Sequence, residues 1–126
     1  VKIDRVRAIA ERWKARFLDR LYTPAERRYC MARPSPYASL AGRFAAKEAL
    51  LKALGTGWSG GIRWHDIQVL NDRSGRPRAT VSGRVKTLLK RAGVTDIHLS
   101  LSHDTDYAVA QVVLAKNSWQ PVANSE

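Results

Sequence analysis

GRFAAKEALLKALGTG, from Gly42 to Gly57, is the stretch of sequence around which the rest of the chain falls into place. Ser35 can cap a helix beginning at Pro36, and Gly55 is a natural terminator after Leu54, so most of the run is predicted to lie on a helix over 36–54. On that helix Glu48 and Lys52 are four residues apart and share a face, with Phe44 one turn earlier in the same row. Arg43 and Lys47 form an adjacent basic row. A carboxylate beside cations can hold Mg²⁺ while the cations hold phosphate oxygens, the combination needed when a pyrophosphate is cleaved. The same spacing also describes an ordinary Glu–Lys surface pair, worth roughly a few tenths of a kcal/mol, and spacing alone does not choose between them.

Upstream, Val6, Ile9, Trp13, Phe17 and Leu21 recur at spacings of three and four, which predicts one amphipathic helix from Asp4 to about Tyr22. Its other side carries Arg5, Arg12, Arg16 and Arg20, spaced seven, four and four apart. These guanidinium groups either line a neighbouring face or form a plain solvated surface. Thr23, Pro24 and Glu26 read as the start of a short second helix ending near Ala32, with a capping box between Thr23 and Glu26.

Downstream, Gly55 to Gly61 read as a flexible, partly aromatic loop. Ile67 to Leu70 and Ala79 to Val81 flank turn residues and predict a hairpin. Gly83 to Ala92 predict a short basic helix stopped by Gly93, and Ile97 to Ser102 with Tyr107 to Leu114 predict a second antiparallel hairpin in the core. Helices early and hairpins late make an α+β domain over 1–115, in which one long helix and shorter ones pack on a small antiparallel sheet. The polar tail, 116–126, is expected to fray.

The 126 residues carry 22 Lys and Arg against 11 Asp and Glu, a net charge of +11, so the partner is expected to be an anion. Nucleic acid, an anionic membrane, a phosphorylated cofactor and an acidic protein all satisfy that charge. No helix-turn-helix, zinc-finger or RNA-recognition signature accompanies it, which argues against nucleic acid. No apolar run approaches the roughly 20 residues of a membrane helix, and Val1 to Arg7 lack the apolar stretch of an export signal. A single cysteine, Cys30, forbids an intramolecular disulfide and suits a reducing cytosol, so a cytoplasmic protein with a core thiol is expected.

The run from Gly42 resembles the F-x-x-K-E-A-x-x-K-A-x-G-T-G signature of the bacterial holo-acyl-carrier-protein synthase family of 4′-phosphopantetheinyl transferases, with Phe44, Lys47, Glu48, Ala49, Lys52, Ala53, Gly55, Thr56 and Gly57 in register. Three further stretches follow in family order. They are Val1, Ile3 and Arg5 of the N-terminal motif, Asn71 with Gly75, Arg76 and Pro77 of an N-x-x-G-x-P turn, and Ser100, Ser102 and His103 of S-x-S-H. The resemblance extends from Val1 to about Ala115.

It implies a 4′-phosphopantetheinyl transferase fold, assembled as a homotrimer with active sites at subunit interfaces. The implied reaction moves 4′-phosphopantetheine from coenzyme A to a serine of apo acyl carrier protein and releases adenosine 3′,5′-bisphosphate. Glu48 would be the Mg²⁺ ligand, and it or a water would take the serine proton. Lys52 would contact the cofactor phosphates, and Arg43 would lie by the cofactor cleft. Gly75, Arg76 and Pro77 resemble a turn that approaches the nucleotide from a neighbouring subunit, although a plain hairpin connection reads the same way. His103 resembles a cleft histidine beside the cofactor, the other reading being a structural hydrogen-bonder. His65 and His98 have no motif context. The arginine row of Arg5, Arg12, Arg16 and Arg20 would meet the acidic helices of the carrier. One departure stands out: the family's N-terminal strand reads G-x-D-x-V, and Val1 falls on the last position, so the second metal-binding aspartate is expected two residues before Val1. Asp4, three residues past that valine, is no substitute. The alternative reading is a noncatalytic coenzyme A- or carrier-binding module that has lost the aspartate.

Overall fold

Pro36–Leu54 forms the helix around which the other elements gather, and its composition explains why. Ala38, Leu40, Ala41, Ala45, Ala46, Leu50 and Leu51 are buried on several sides of it, so it is enclosed rather than laid on a surface. In this computed structural model, which describes residues 1–13, 15–58 and 60–116, the order is α1 (Ile3–Trp13), α2 (Ala15–Leu21), α3 (Pro24–Met31), α4 (Pro36–Leu54), β1 (Ile67–Asn71), β2 (Pro77–Val81), α5 (Gly83–Arg91), β3 (Asp96–His103) and β4 (Ala108–Ala115). Of the expected tail, 117–126 lie outside the described residues.

The helix boundaries follow local chemistry. The Thr23 hydroxyl accepts from the Glu26 N–H while the Glu26 carboxylate accepts from the Thr23 N–H, which is the expected capping box. Gly55 ends α4 in the left-handed region at φ 85°, where a side chain would be strained. Ser35 occupies the cap position of α4, but its hydroxyl makes no capping bond. The first helix expected over 4–22 is helical on both sides of Lys14, as α1 and α2, and Lys14 lies outside the described residues. The buried row is shifted: Ile3, Val6 and Ala10 face the core in α1, while Trp13 is 51% exposed. Both rows have helical spacing, and the one nearer α4 is the one enclosed.

Two antiparallel hairpins replace the single sheet expected. β1 pairs with β2 from Ile67↔Val81 to Asn71↔Pro77, and β3 pairs with β4 from Asp96↔Ala115 to His103↔Ala108, with no ladder joining them among the described residues. One face of β3–β4 packs on the core through Leu99, Leu101, Ala110 and Val112. The other points outward and carries His98, Ser100, Ser102, Val109, Gln111 and Val113. The hairpin is therefore half-buried rather than inside the core. The chain enters beside it: the Val1 and Ala108 backbones exchange hydrogen bonds of 2.7 and 2.8 Å, and the Ile3 N–H donates to the Asp106 carbonyl before α1 begins.

Apolar side chains form two clusters that meet on α4. The first joins Ile3, Val6, Leu18, Leu21, Tyr22 and Cys30 to Leu40 and Ala41. The second joins Ala46, Leu50 and Leu51 to Ile67, Val69, Val85 and Leu89. Cys30 is the core thiol expected, with burial pushing its pKa up.

Candidate functional site

The basic row predicted on α4 divides into two different environments. Lys47 is fully buried, and its Nζ donates to the Leu21 carbonyl at 2.6 Å, Glu26 Oε1 at 2.8 Å and the Trp64 carbonyl at 3.2 Å. Burial pushes the lysine pKa down and the Glu26 charge opposes that shift. All three ammonium protons have partners, so Lys47 has none to offer a phosphate. Glu26 is equally buried and accepts the Val69 N–H at 2.8 Å through its other oxygen. Sequence reading found Glu26 as a cap and missed it as the counter-ion of Lys47, because nothing in the spacing links two residues twenty-one positions apart.

Arg43 opens onto a cavity of about 390 Å³ lined also by Tyr29, Arg33, Asn71, Gly75, Pro77, Ser102 and His103. Its guanidinium carbon sits 4.8 Å from the centre of the Tyr29 ring, and that of Arg33 lies 5.5 Å from the same ring. Arg43 Nη2 donates to Asn71 Oδ1, while its Nε is buried without a partner among the described residues. The turn after β1 is tied by Asp72, whose Oδ1 accepts from the Ser74 N–H, the Ser74 hydroxyl and the Arg76 N–H. Chiefly through the Ser74 hydroxyl, these bonds hold the Asp72 pKa down at about 2. Thus Arg43, Gly75, Pro77 and His103, singled out separately in the sequence, line one cavity. Arg76 does not: it is exposed and borders a separate hollow with Ile97 to Leu101. His103 is exposed, with Nδ1 3.4 Å from the Asp104 carbonyl.

Glu48 and Lys52 do not line that cavity. Glu48 lies five residues beyond Arg43, about 140° around an ideal helix, so α4 itself stands between them. Glu48 is half-buried and Lys52 exposed, and no ion pair joins them or engages either with another described residue. Glu48 and Lys52 thus form no surface pair, and no ion pair with a described residue occupies the Glu48 carboxylate. Among the described residues no group of three or more His, Cys, Asp or Glu gathers to hold a metal.

Beside the Glu48 row lies an aromatic array in which Phe44, expected on the helix, meets Trp58, expected only as part of a loop, and Trp64, which had no assigned role. Phe44 stacks on Trp64 with ring centres 5.2 Å apart, and Trp64 meets Trp58 at 3.5 Å. Trp58 and Trp64 wall a second cavity of about 410 Å³ with Arg20 and Arg63 at its edge. The four tryptophans of so small a chain were the available signal. His65 Nε2 contacts the Asp19 carbonyl, a structural role, and His98 lies on the outer face of β3. Arg5, Arg12, Arg16 and Arg20 are all exposed, and none forms an ion pair with a described residue.

Comparison with known proteins gives these features a setting. Residues 1–112 match the model of the 4′-phosphopantetheinyl transferase superfamily. The chain is 44% identical over 114 residues to the holo-[acyl-carrier-protein] synthase of Koribacter versatilis, covering 90% of this chain and 91% of that one. The crystal structure of the Neisseria meningitidis holo-[acyl-carrier-protein] synthase superposes with a TM-score of 0.84 at 32% identity, covering 92% of this chain and 93% of that one. The Helicobacter pylori synthase in complex with coenzyme A gives 0.80 at 32% identity, covering 91% and 95%. This chain belongs to the 4′-phosphopantetheinyl transferase superfamily.

Proposed function

We propose that this chain is a holo-[acyl-carrier-protein] synthase, transferring 4′-phosphopantetheine from coenzyme A to a serine of apo acyl carrier protein with release of 3′,5′-ADP. The observation that carries the reading is likeness over nine-tenths of both chains to a protein bearing that name, together with the fold shared with a coenzyme A complex. Likeness of that extent also disfavours the noncatalytic module.

In this reading the serine hydroxyl attacks the β-phosphorus of coenzyme A and 3′,5′-ADP departs. Lys47 is spent on the core, which leaves Lys52 as the cation of the row that can meet the pyrophosphate and Arg43 as the one that serves the nucleotide end with Gly75, Pro77 and His103, while Arg76, outside that cavity, keeps only the role that the family resemblance implies. Glu48 takes the serine proton, directly or through a water, and is the carboxylate that would hold Mg²⁺. A single carboxylate paired with no described cation fits that ion, which characteristically keeps waters and substrate phosphate oxygens as its other ligands. When bound, Mg²⁺ supplies neutralisation of charge on the pyrophosphate.

The proposal includes a homotrimer. Two features support it: α4 separates the Arg43 cavity from Glu48 and Lys52, so one chain does not bring both halves to one cleft, and Tyr107, Val109 and Val113 leave an apolar strip exposed on and beside β4. A cytoplasmic location belongs to the same reading, supported by the lone buried thiol; no described helix is long and apolar enough to cross a membrane. The test incubates the full chain with apo acyl carrier protein and coenzyme A. Mass spectrometry should find the carrier heavier by one phosphopantetheine, with 3′,5′-ADP formed in equal amount. An unmodified carrier over hours at micromolar enzyme would sink the reading.

A further inference from the structure

We infer that Asn71 is a positioning residue for the nucleotide end of coenzyme A, fixing the Arg43 guanidinium and the Gly75 turn against each other through the two ends of one carboxamide. The inference rests on the reading of the Arg43 cavity as the nucleotide site. Asn71 Oδ1 accepts from Arg43 Nη2, and Asn71 Nδ2 donates to the Gly75 carbonyl at 2.8 Å. Its backbone is held as the last pair of the β1–β2 ladder, opposite Pro77. The side chain thus joins two walls of the cavity that come from different elements, α4 and the hairpin turn. A carboxamide of this length is what the geometry needs: aspartate has no donor for Gly75, and leucine has neither donor nor acceptor.

The value of the link lies in the planarity of the guanidinium. A hydrogen bond at Nη2, with the Tyr29 ring at 4.8 Å, fixes the plane in which the other N–H groups lie. Nε is buried without a partner among the described residues, so the N–H groups that meet an anion are those Arg43 turns to the cavity, already oriented by these two contacts. Without Asn71 the positive charge remains, but its direction does not, and affinity for a nucleotide phosphate should fall while chemistry at the distant Glu48 row is spared.

The test is a double-mutant cycle read by calorimetric titration of the intact protein with 3′,5′-ADP, alongside kcat and KM for coenzyme A and carrier. Asn71→Leu should weaken 3′,5′-ADP about tenfold, the scale of a lost charge-assisted hydrogen bond, and raise KM for coenzyme A in parallel, with kcat and carrier KM changing far less. In an Arg43→Leu background the same change should cost under about twofold, because its effect runs through Arg43. Asn71→Asp, nearly identical in shape, should weaken 3′,5′-ADP as well, since its carboxylate pairs with Arg43 and loses the bond to Gly75; it carries the test if the leucine variant fails to fold. If both Asn71 variants bind 3′,5′-ADP like the wild type while Arg43→Leu does not, the positioning role is wrong and the cavity reading stands. If Arg43→Leu also binds normally, the cavity reading itself is wrong. Additive losses from Asn71 and Arg43 would reduce Asn71 to a structural part and overturn the inference.

Discussion

Lys47 Nζ lies 2.8 Å from Glu26 Oε1, and neither side chain has any exposed surface. The pair ties α4 to α3, while the bonds from Lys47 to the Leu21 and Trp64 carbonyls reach the end of α2 and the turn before β1. Removing one charge strands the other in the core, so Lys47→Met should destabilise the fold by about 3–5 kcal/mol in urea denaturation. Combining Lys47→Met with Glu26→Gln removes the stranded charge and should recover part of that loss. A double variant as unstable as the sum of the singles would show that the two side chains act independently.

A different outcome is expected one residue further along α4. Glu48 is half-buried and engages no cation among the described residues, so Glu48→Gln should leave the melting temperature nearly unchanged. Transfer should nonetheless fall by orders of magnitude if this carboxylate serves metal and proton. Carrier mass spectrometry beside a thermal melt separates the two quantities. Wild-type transfer by this variant would remove Glu48 from the site.

These neighbours show what the sequence makes legible. Local signals resolved well: the Thr23–Glu26 capping box, the Gly55 terminator, both hairpins and α5 depend on residues within a few positions of each other. What failed needed tertiary knowledge. Lys47 and Arg43 look alike in a basic row, yet one is consumed by a carboxylate on another helix and the other faces a cavity. The α1 stripe has two rows with helical spacing, and only packing against α4 decides that Ile3 and Ala10 are inside and Trp13 is out. Trp64 became visible only when its ring was found against Phe44.

The β1–β2 turn carries a titration of its own. Hydrogen bonds hold the Asp72 carboxyl down at about 2 from an ordinary 3.8, so the folded form binds the proton less readily than the unfolded chain. Its contribution is therefore present above pH 4 and lost as pH falls from about 4 towards 2. Asp104, lowered by the Tyr107 and Asp106 N–H groups, moves in the same direction. Comparing the acid dependence of melting in wild type and Asp72→Asn isolates the turn: the variant should show a shallower loss below pH 4. Identical acid profiles would mean that the turn network adds nothing to stability.

Assembly is tested on the outer face of β4. Val109 and Val113 are 58% and 52% exposed and lie opposite Ser102 and His98 in the ladder. Light scattering should report a trimer for the wild type, and Val109→Glu with Val113→Glu should yield a folded, inactive monomer. A fully active wild-type monomer at micromolar concentration would refute the interfacial site.

The expectation that Arg5, Arg12, Arg16 and Arg20 dock the carrier is open to a direct test, since all four stand exposed along α1 and α2 and pair with no described carboxylate. An unpaired basic face costs self-repulsion unless a partner meets it, and a protein of net charge +11 already carries much of that cost. Charge reversal on this face should act mainly on encounter. Arg5→Glu with Arg12→Glu is expected to raise KM for an acidic carrier much more than KM for coenzyme A, because the Arg43 cavity is lined by neither residue. Salt should weaken wild-type carrier binding in the same direction, and the variant should have lost most of that salt dependence. Both KM values belong with a circular dichroism melt, since equal losses for the two substrates would indicate misfolding or a cofactor role. A folded double variant with an unchanged carrier KM would return this arginine row to a solvated surface while leaving Glu48 and Lys52 where they stand.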